Sequence, residues 1–130
     1  MLTATCHCGA VRVQVSRRPD SLTDCNCSVC QRYGTRWAYY TEAEVRLEAE
    51  PDATEVYVCN GRELEFVRCR HCGCVVQWRM RERDASSRTG VNARNFPLAD
   101  VAGIPVELLD GADTWQVLGR LVLEKRADAL

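Results

Sequence analysis

Lysine, histidine and long apolar segments are scarce in this chain of 130 residues. Lys125 is the only lysine, and His7 and His71 are the only histidines. The formal net charge is −1, so the chain lacks the basic excess that nucleic-acid binding usually requires. No apolar segment approaches the length of about 20 residues that a membrane-spanning helix needs. The composition therefore predicts a soluble protein that binds neither nucleic acid nor membrane.

The signatures of common hydrolases and nucleotide-binding enzymes are also missing. The sequence has no His-Glu-x-x-His helix, no glycine-rich phosphate loop and no candidate set of serine, histidine and aspartate. Residues 1–5 have neither the basic region nor the apolar run that is typical of a signal peptide. These absences predict a cytoplasmic protein whose chemistry depends on other residue types.

Cysteine, in contrast, is abundant. The chain has nine cysteines, and seven of them fall into three tight clusters. The clusters are Cys6-x-Cys8, Cys25-x-Cys27-x-x-Cys30 and Cys69-x-x-Cys72. Thiolates that share one metal ion must bring their sulfurs close together, and spacings of one or two residues allow this. Gly9 and Gly73 directly follow the two pairs, where glycine permits a tight turn with positive φ.

Disulfide bonds are the alternative explanation for so many cysteines. The odd number of cysteines and a reducing cytoplasm both argue against a disulfide framework. Zinc takes four protein ligands in a closed structural site and three in a site that keeps one position open. Seven clustered cysteines are four plus three, so the sequence predicts two Zn²⁺ ions, one structural and one catalytic.

The order of the clusters suggests which cysteines share an ion. The two pairs that precede a glycine are alike, and the triplet between them is different. We therefore assign one closed structural zinc to the cysteines of the two pairs, Cys6, Cys8, Cys69 and Cys72. This site joins segments about sixty residues apart, and metal binding would offset the entropy of closing so long a loop.

The triplet of Cys25, Cys27 and Cys30 is left for a second, catalytic zinc with an open fourth position. The alternative is a closed ion whose fourth ligand is one of Cys59, Cys74, His7 and His71. Three thiolates give the site a net negative charge, which makes the ion a poor Lewis acid but a good partner for another soft sulfur ligand. Because the thiolate is the reactive form of sulfur, this site suits thiol chemistry better than hydrolysis.

Short strand-like segments separated by glycine, proline and asparagine predict a mainly β protein. Alternating valines predict a half-buried strand over 11–15, and further strands are predicted over 37–40, 45–48, 89–92 and 104–108. Asn60-Gly61 between the segments 55–59 and 62–68 predicts a hairpin with a type I′ turn. We expect residues 25–34 to form a metal-binding loop without a regular element.

The remaining segments give weaker predictions. The alternation after Cys72 predicts a strand with Cys74, Val76, Trp78 and Met80 on its apolar face and Gln77, Arg79 and Arg81 opposite. Cys74 is thus expected to be a buried inert thiol, whereas Cys59 sits at the hairpin tip, away from either cluster in the sequence. Residues 96–102 predict a short helical turn with Pro97 at its first position. Residues 110–113 predict a turn. Leu118, Leu121 and Val122 have helical spacing, although Gly119 weakens the prediction of a helix there.

The chain resembles the glutathione-dependent formaldehyde-activating (GFA) enzyme family. The resemblance lies in Cys6-His7-Cys8-Gly9-Ala10-Val11, Cys25-Asn26-Cys27-Ser28-Val29-Cys30 and Cys69-Arg70-His71-Cys72-Gly73. Val91-Asn92 and Asp110-Gly111-Ala112-Asp113-Thr114-Trp115 are similar to the family's C-terminal pattern. The similarity extends over most of the chain, and the length predicts one zinc-binding domain over residues 1–130.

The resemblance implies a β-tent zinc fold of short antiparallel strands, with the structural zinc on the two pairs and the catalytic zinc on the triplet. It also implies a zinc-dependent carbon–sulfur lyase or synthase that adds glutathione to formaldehyde, so its partners are a small thiol and an aldehyde. The other function that fits is a non-catalytic zinc module for a protein partner. An open fourth position at the triplet separates the two. The sequence leaves the oligomeric state open, and it offers Arg32, Arg36, Asn92 and Arg94 either as carboxylate-binding or as ordinary surface residues.

Overall fold

The computed structural model describes residues 1–59 and 61–122, which form eleven strands in two sheets. The strands are β1 (Leu2–Thr5), β2 (Val11–Val15), β3 (Leu22–Cys25), β4 (Trp37–Thr41), β5 (Val45–Ala49), β6 (Thr54–Cys59), β7 (Leu64–Cys69), β8 (Val75–Met80), β9 (Arg88–Asn92), β10 (Pro105–Leu109) and β11 (Val117–Val122). The helical elements are α1 (Ser28–Tyr33), α2 (Leu98–Val101) and the 3₁₀ turns Glu42–Glu44 and Ala93–Asn95. The predicted mainly β fold is confirmed.

The smaller sheet has the order β1-β2-β5 and the larger one the order β11-β10-β3-β4-β9-β8-β7-β6. Neighbouring strands pair antiparallel, with the exception of the parallel pair β3 and β10. The alternation predicted over 11–15 is observed, since Val11, Val13 and Val15 are buried and Arg12 is exposed. Strands also form at the other four predicted places, within a residue or two of the expected bounds.

The larger sheet separates two apolar clusters, because successive strand residues point to opposite faces. Val67 and Val76 pack on the face that holds the valines of β2 together with Cys6 and Cys69. Their chain neighbours Phe66 and Val75 pack on the other face, with Trp37, Cys25 and Cys30. The two groups of clustered cysteines therefore belong to opposite sides of the sheet.

The irregular loop predicted over residues 25–34 is wrong for the second half of this segment. Cys27 caps the N-terminus of α1, and Gly34 ends the helix with a left-handed φ of 67° while its N–H donates to the Cys30 carbonyl. A glycine at this position closes a helix without the steric cost that a side chain would carry. The spacing between Cys27 and Cys30 is therefore set by the first turn of a helix.

The helix expected from the spacing of Leu118, Leu121 and Val122 is also wrong, because all three lie in β11. This strand pairs antiparallel with β10, with Leu121 opposite Val106. Pairing with a neighbouring strand overrides a weak local preference, and Gly119 in any case disfavours a helix.

The hairpin of β6 and β7 is confirmed, but its connection is longer than a two-residue type I′ turn. Cys59 pairs with Leu64, and the left-handed residues are Gly61 and Arg62. Asn60 lies outside the described residues.

In β8, the alternation predicts a polar face for Gln77, yet this residue is only 2% exposed and its Nε2 donates to Thr89 Oγ1 at 2.8 Å. Its register partners Val67 and Val91 belong to the apolar cluster around the valines of β2, so Gln77 lies on that buried face of the sheet, whereas Trp78 packs in the other apolar cluster.

The short helix predicted over 96–102 is found as α2, with Pro97 as the residue that precedes its first turn. Within the part of the chain that the structure describes, no helix has the length and apolar character needed to span a membrane.

Candidate metal centres and their cavity

The structure brings together the same two sets of cysteines that the sequence grouped. In each set the sulfur atoms all lie within 4.8 Å of one another. The first set, called here the four-cysteine cluster, consists of Cys6, Cys8, Cys69 and Cys72. The second, called here the triplet, consists of Cys25, Cys27 and Cys30.

The four-cysteine cluster joins the turn between β1 and β2 to the end of β7. Gly9 adopts a φ of 85° and Gly73 a φ of 79°, as expected for the glycine that follows each pair. The Cys8 sulfur lies 3.7 Å from that of Cys6 and 3.5 Å from that of Cys69. Four sulfurs placed about 2.3 Å from a central Zn²⁺ at the corners of a tetrahedron lie about 3.8 Å apart. The observed spacing therefore fits a tetrahedral ion.

The acidities of this cluster also fit a bound cation. Burial raises the pKa of Cys72, but the backbone N–H groups of Cys74 and Cys8 outweigh it and lower that pKa to about 5. The backbone N–H of Ala10 lowers the pKa of Cys8, yet its sulfur neighbours, first among them Cys69, raise it to about 12. Ionisation of Cys8 beside these sulfurs at neutral pH would therefore be favoured by a bound cation.

The triplet is built from the end of β3 and the first turn of α1. Cys25 ends β3, Cys27 is the N-cap of α1, and Cys30 follows one turn later. Cys25 and Cys30 are buried, and Cys27 is half-buried. The indole N–H of Trp37 donates to the Cys30 sulfur at 3.3 Å, which fixes the orientation of that side chain.

The three thiols differ in acidity. Burial raises the pKa of Cys27, but the backbone N–H groups of Cys30 and Val29 and the neighbouring thiols outweigh it and lower the pKa below its ordinary value. Burial raises the pKa of Cys25, and it raises that of Cys30 to about 12 against the lowering effect of the Trp37 indole. Cys27 is therefore the first of the three to ionise, and full ionisation of the triplet requires a cation.

A turn from the far end of the sequence closes one side of the triplet. Asn26 Nδ2 donates to Asp110 Oδ1 at 3.0 Å, and Asn26 Oδ1 accepts from the Ala112 N–H at 2.9 Å. Gly111 lies between these contacts, and a Cβ atom on it would clash with the Cys25 sulfur. Local spacing did not identify Asn26, Asp110 and Gly111 as site residues; the hints were the turn signal at 110–113 and the family resemblance, whose patterns include all three residues.

The triplet forms part of the wall of a cavity of about 390 Å³. Cys59 also lines this cavity, although it is remote from the triplet in sequence. Burial and the charge of nearby Cys27 raise the pKa of Cys59. In the described structure, however, the Cys59 sulfur does not lie within 4.8 Å of all three triplet sulfurs.

The other candidate fourth ligands lie elsewhere. Cys74 packs against the apolar core beside Cys72, next to the four-cysteine cluster, but the buried thiol expected from the sequence is only half-buried. His7 and His71 are exposed, and neither belongs to a cysteine cluster in the residues described.

The candidate carboxylate-binding residues do not line the triplet cavity. Arg36 and Arg94 line a separate cavity of about 140 Å³. Arg32 donates to the Ser28 carbonyl, and the buried Asn92 accepts from the Arg94 N–H while donating to the Val75 carbonyl at 2.8 Å. The role of Asn92 in these contacts is to hold the backbone in place.

A mainly β fold that gathers four cysteines on one side of a sheet and three at a cavity on the other defines a protein with two thiol clusters that could hold metal ions. The model of the glutathione-dependent formaldehyde-activating enzyme family matches residues 1–101, and the chain belongs to this family. The fold is also similar to the crystal structure of a Rhodobacter sphaeroides protein, with a TM-score of 0.63 and 27% sequence identity. That match covers 72% of this chain and 86% of the Rhodobacter chain.

Proposed function

We propose that the chain is a zinc-dependent carbon–sulfur lyase or synthase that acts on the adduct of a thiol and an aldehyde. The observation that carries the proposal is the placement of the triplet at a cavity large enough for a small molecule. The family points to the same chemistry, since its description names glutathione and formaldehyde.

The two clusters take different roles in this proposal. The four-cysteine cluster holds a structural zinc, because it offers a complete tetrahedral set and ties β1 and β2 to the end of β7. The triplet holds the catalytic zinc, because it offers three ligands and adjoins the cavity. When bound there, zinc supplies a position at which a thiol is held as its thiolate, the nucleophilic form of sulfur.

The reaction is balanced without a redox partner. In the synthase direction the sulfur forms a bond to the carbonyl carbon and the carbon–oxygen π bond breaks. The thiol gives up one proton, and the carbonyl oxygen takes up one proton. The lyase direction reverses these steps.

Residues of the chain orient the reactants and deliver the proton that the carbonyl oxygen takes up. Trp37 fixes the Cys30 side chain through its indole N–H. Tyr39 lines the same cavity, and burial raises the pKa of its hydroxyl, so this group stays protonated at neutral pH. We assign Tyr39 as the donor of a proton or hydrogen bond to the oxygen that develops negative charge.

Cobalt substitution tests the proposal with any small thiol, whichever thiol is the natural substrate. Each thiolate bound to cobalt adds to the sulfur-to-metal charge-transfer absorption, so titration with a small thiol should strengthen these bands. Adduct formation from thiol and ¹³C-formaldehyde is followed in parallel by NMR. We expect both signals from the native chain and neither from Cys27→Ser.

An unchanged cobalt spectrum, together with no acceleration of adduct formation, would overturn the assignment. A fourth protein ligand at the triplet, such as Cys59, would then favour the alternative of a non-catalytic zinc module.

A further inference from the structure

The walls of the triplet cavity are mainly apolar and aromatic. Six aromatic side chains line it, contributed by four strands, β4, β6, β7 and β8, and by the turn before β11: Trp37, Tyr39, Tyr57, Phe66, Trp78 and Trp115. Val29, Leu64 and Leu109 also line it. Such walls favour ligands that bury apolar surface or stack on rings.

No arginine, lysine, histidine, aspartate or glutamate is found among the described residues that line this cavity. Glutathione carries two carboxylates and an ammonium group at neutral pH, and burying a charge without a partner is costly. The candidate carboxylate-binding residues Arg36 and Arg94 line a different cavity. The cavity wall therefore offers no cationic side chain to pair with the carboxylates of glutathione.

Two features of the backbone hold the aromatic walls in place. A Cβ atom at Gly90 would clash with the Trp78 indole, so this glycine lets the ring lie flat against β9. Trp115 adopts a φ of 60°, which is unusual for a bulky residue. Its N–H donates to the Asp110 carbonyl at 2.7 Å, and this bond helps to fix the strained residue where its side chain lines the cavity.

We infer that this cavity selects a neutral substrate with one aromatic ring or an apolar group of similar size, rather than glutathione. The inference rests on the proposed function for the identity of the reaction, but the selectivity follows from the wall itself. The volume of about 390 Å³ is suited to a ligand with a single ring. Benzyl mercaptan and benzyl alcohol represent this class, with and without a reactive thiol.

The chain carries its own probe for the test, because all three of its tryptophans line the cavity. Quenching of tryptophan fluorescence in the zinc-loaded, full-length protein is measured during titration with benzyl mercaptan, benzyl alcohol and glutathione. We expect benzyl mercaptan to bind at least ten-fold more tightly than glutathione. We also expect saturable binding of benzyl alcohol.

Substitutions locate the binding. Tyr57 is 48% exposed and Trp115 is 67% exposed, so Tyr57→Ala and Trp115→Ala should leave the core intact. Each should weaken benzyl alcohol binding at least five-fold, measured by calorimetry because Trp115→Ala removes a fluorophore. The matched controls are Val56→Ala and Leu118→Ala, which truncate exposed apolar side chains outside the cavity and should leave binding unchanged.

Glutathione binding as tight as that of benzyl mercaptan would overturn the inference, as would benzyl alcohol binding that neither cavity substitution weakens. Benzyl alcohol is neither a thiol nor an aldehyde, so its binding does not depend on carbon–sulfur chemistry. A chain that binds it at this cavity but forms no thiol–aldehyde adduct would refute the proposed reaction and retain the inferred selectivity.

Discussion

The side chain of Asn26 donates to the carboxylate of Asp110 at 3.0 Å, across 84 positions of sequence. Asn26 stands between two cysteines of the triplet, and Asp110 begins the turn that places Gly111 against Cys25 and Trp115 beside the cavity. This contact fixes the thiols and the cavity wall relative to each other.

Gly111→Ala should disrupt the triplet, because the new Cβ atom would clash with the Cys25 sulfur. We expect the zinc content to fall from about two ions per chain to about one, while the protein remains folded. Zinc analysis and circular dichroism measure the two quantities. Gly119→Ala is the control, since its Cβ would meet Leu108 at an ordinary 3.7 Å. Equal zinc loss in both variants would contradict the steric role of Gly111.

The contribution of Asp110 to stability should depend on pH. Asn26 and then Thr114 lower the pKa of Asp110 below its ordinary value of 3.8 by hydrogen bonding to its carboxylate. A group with a depressed folded-state pKa stabilises the fold above its unfolded pKa and loses that effect as pH falls through the folded pKa. The difference in melting temperature between the native chain and Asp110→Asn should therefore be constant near neutral pH and shrink below about pH 4. A difference that persists at low pH would assign the effect to shape rather than charge.

The two cysteine clusters should differ in their importance for folding. Cys69 is fully buried and belongs to a cluster that joins segments distant in sequence, whereas the triplet closes a short local segment. We expect Cys69→Ser to abolish folding of the expressed chain and Cys27→Ser to give a folded protein with about one zinc ion. Solubility, thermal unfolding and zinc analysis of the two variants test this. An equal loss of stability would mean that the triplet is structural as well.

Tyr39→Phe should slow adduct formation by about 100-fold, because it removes the protonated hydroxyl of a residue that lines the cavity. The loss should appear in kcat, with little change in KM, and cobalt spectra should still show thiol binding. Tyr33→Phe provides the control, since Tyr33 packs against Phe66 but does not line the cavity. A rise in KM alone would make Tyr39 a wall residue rather than a proton donor.

Local patterns in the sequence determined the grouping of the cysteines and most of the strands. Spacings of one or two residues leave few ways to arrange the thiols of a pair, and alternating valines such as Val11, Val13 and Val15 suit a strand with one buried face. These signals are short-range, so they are visible before the fold is known. The resemblance to the family rests mainly on the same clustered cysteines.

Only the tertiary structure decided what surrounds the triplet. Cys59 reaches the cavity because the β6–β7 hairpin belongs to the larger sheet, and Asn26 meets Asp110 because β10 pairs in parallel with β3. The same pairing preference placed Leu118 and Leu121 in a strand against their local spacing. Contacts between distant segments depend on which strands become neighbours, and neither residue spacing nor periodicity carries that information.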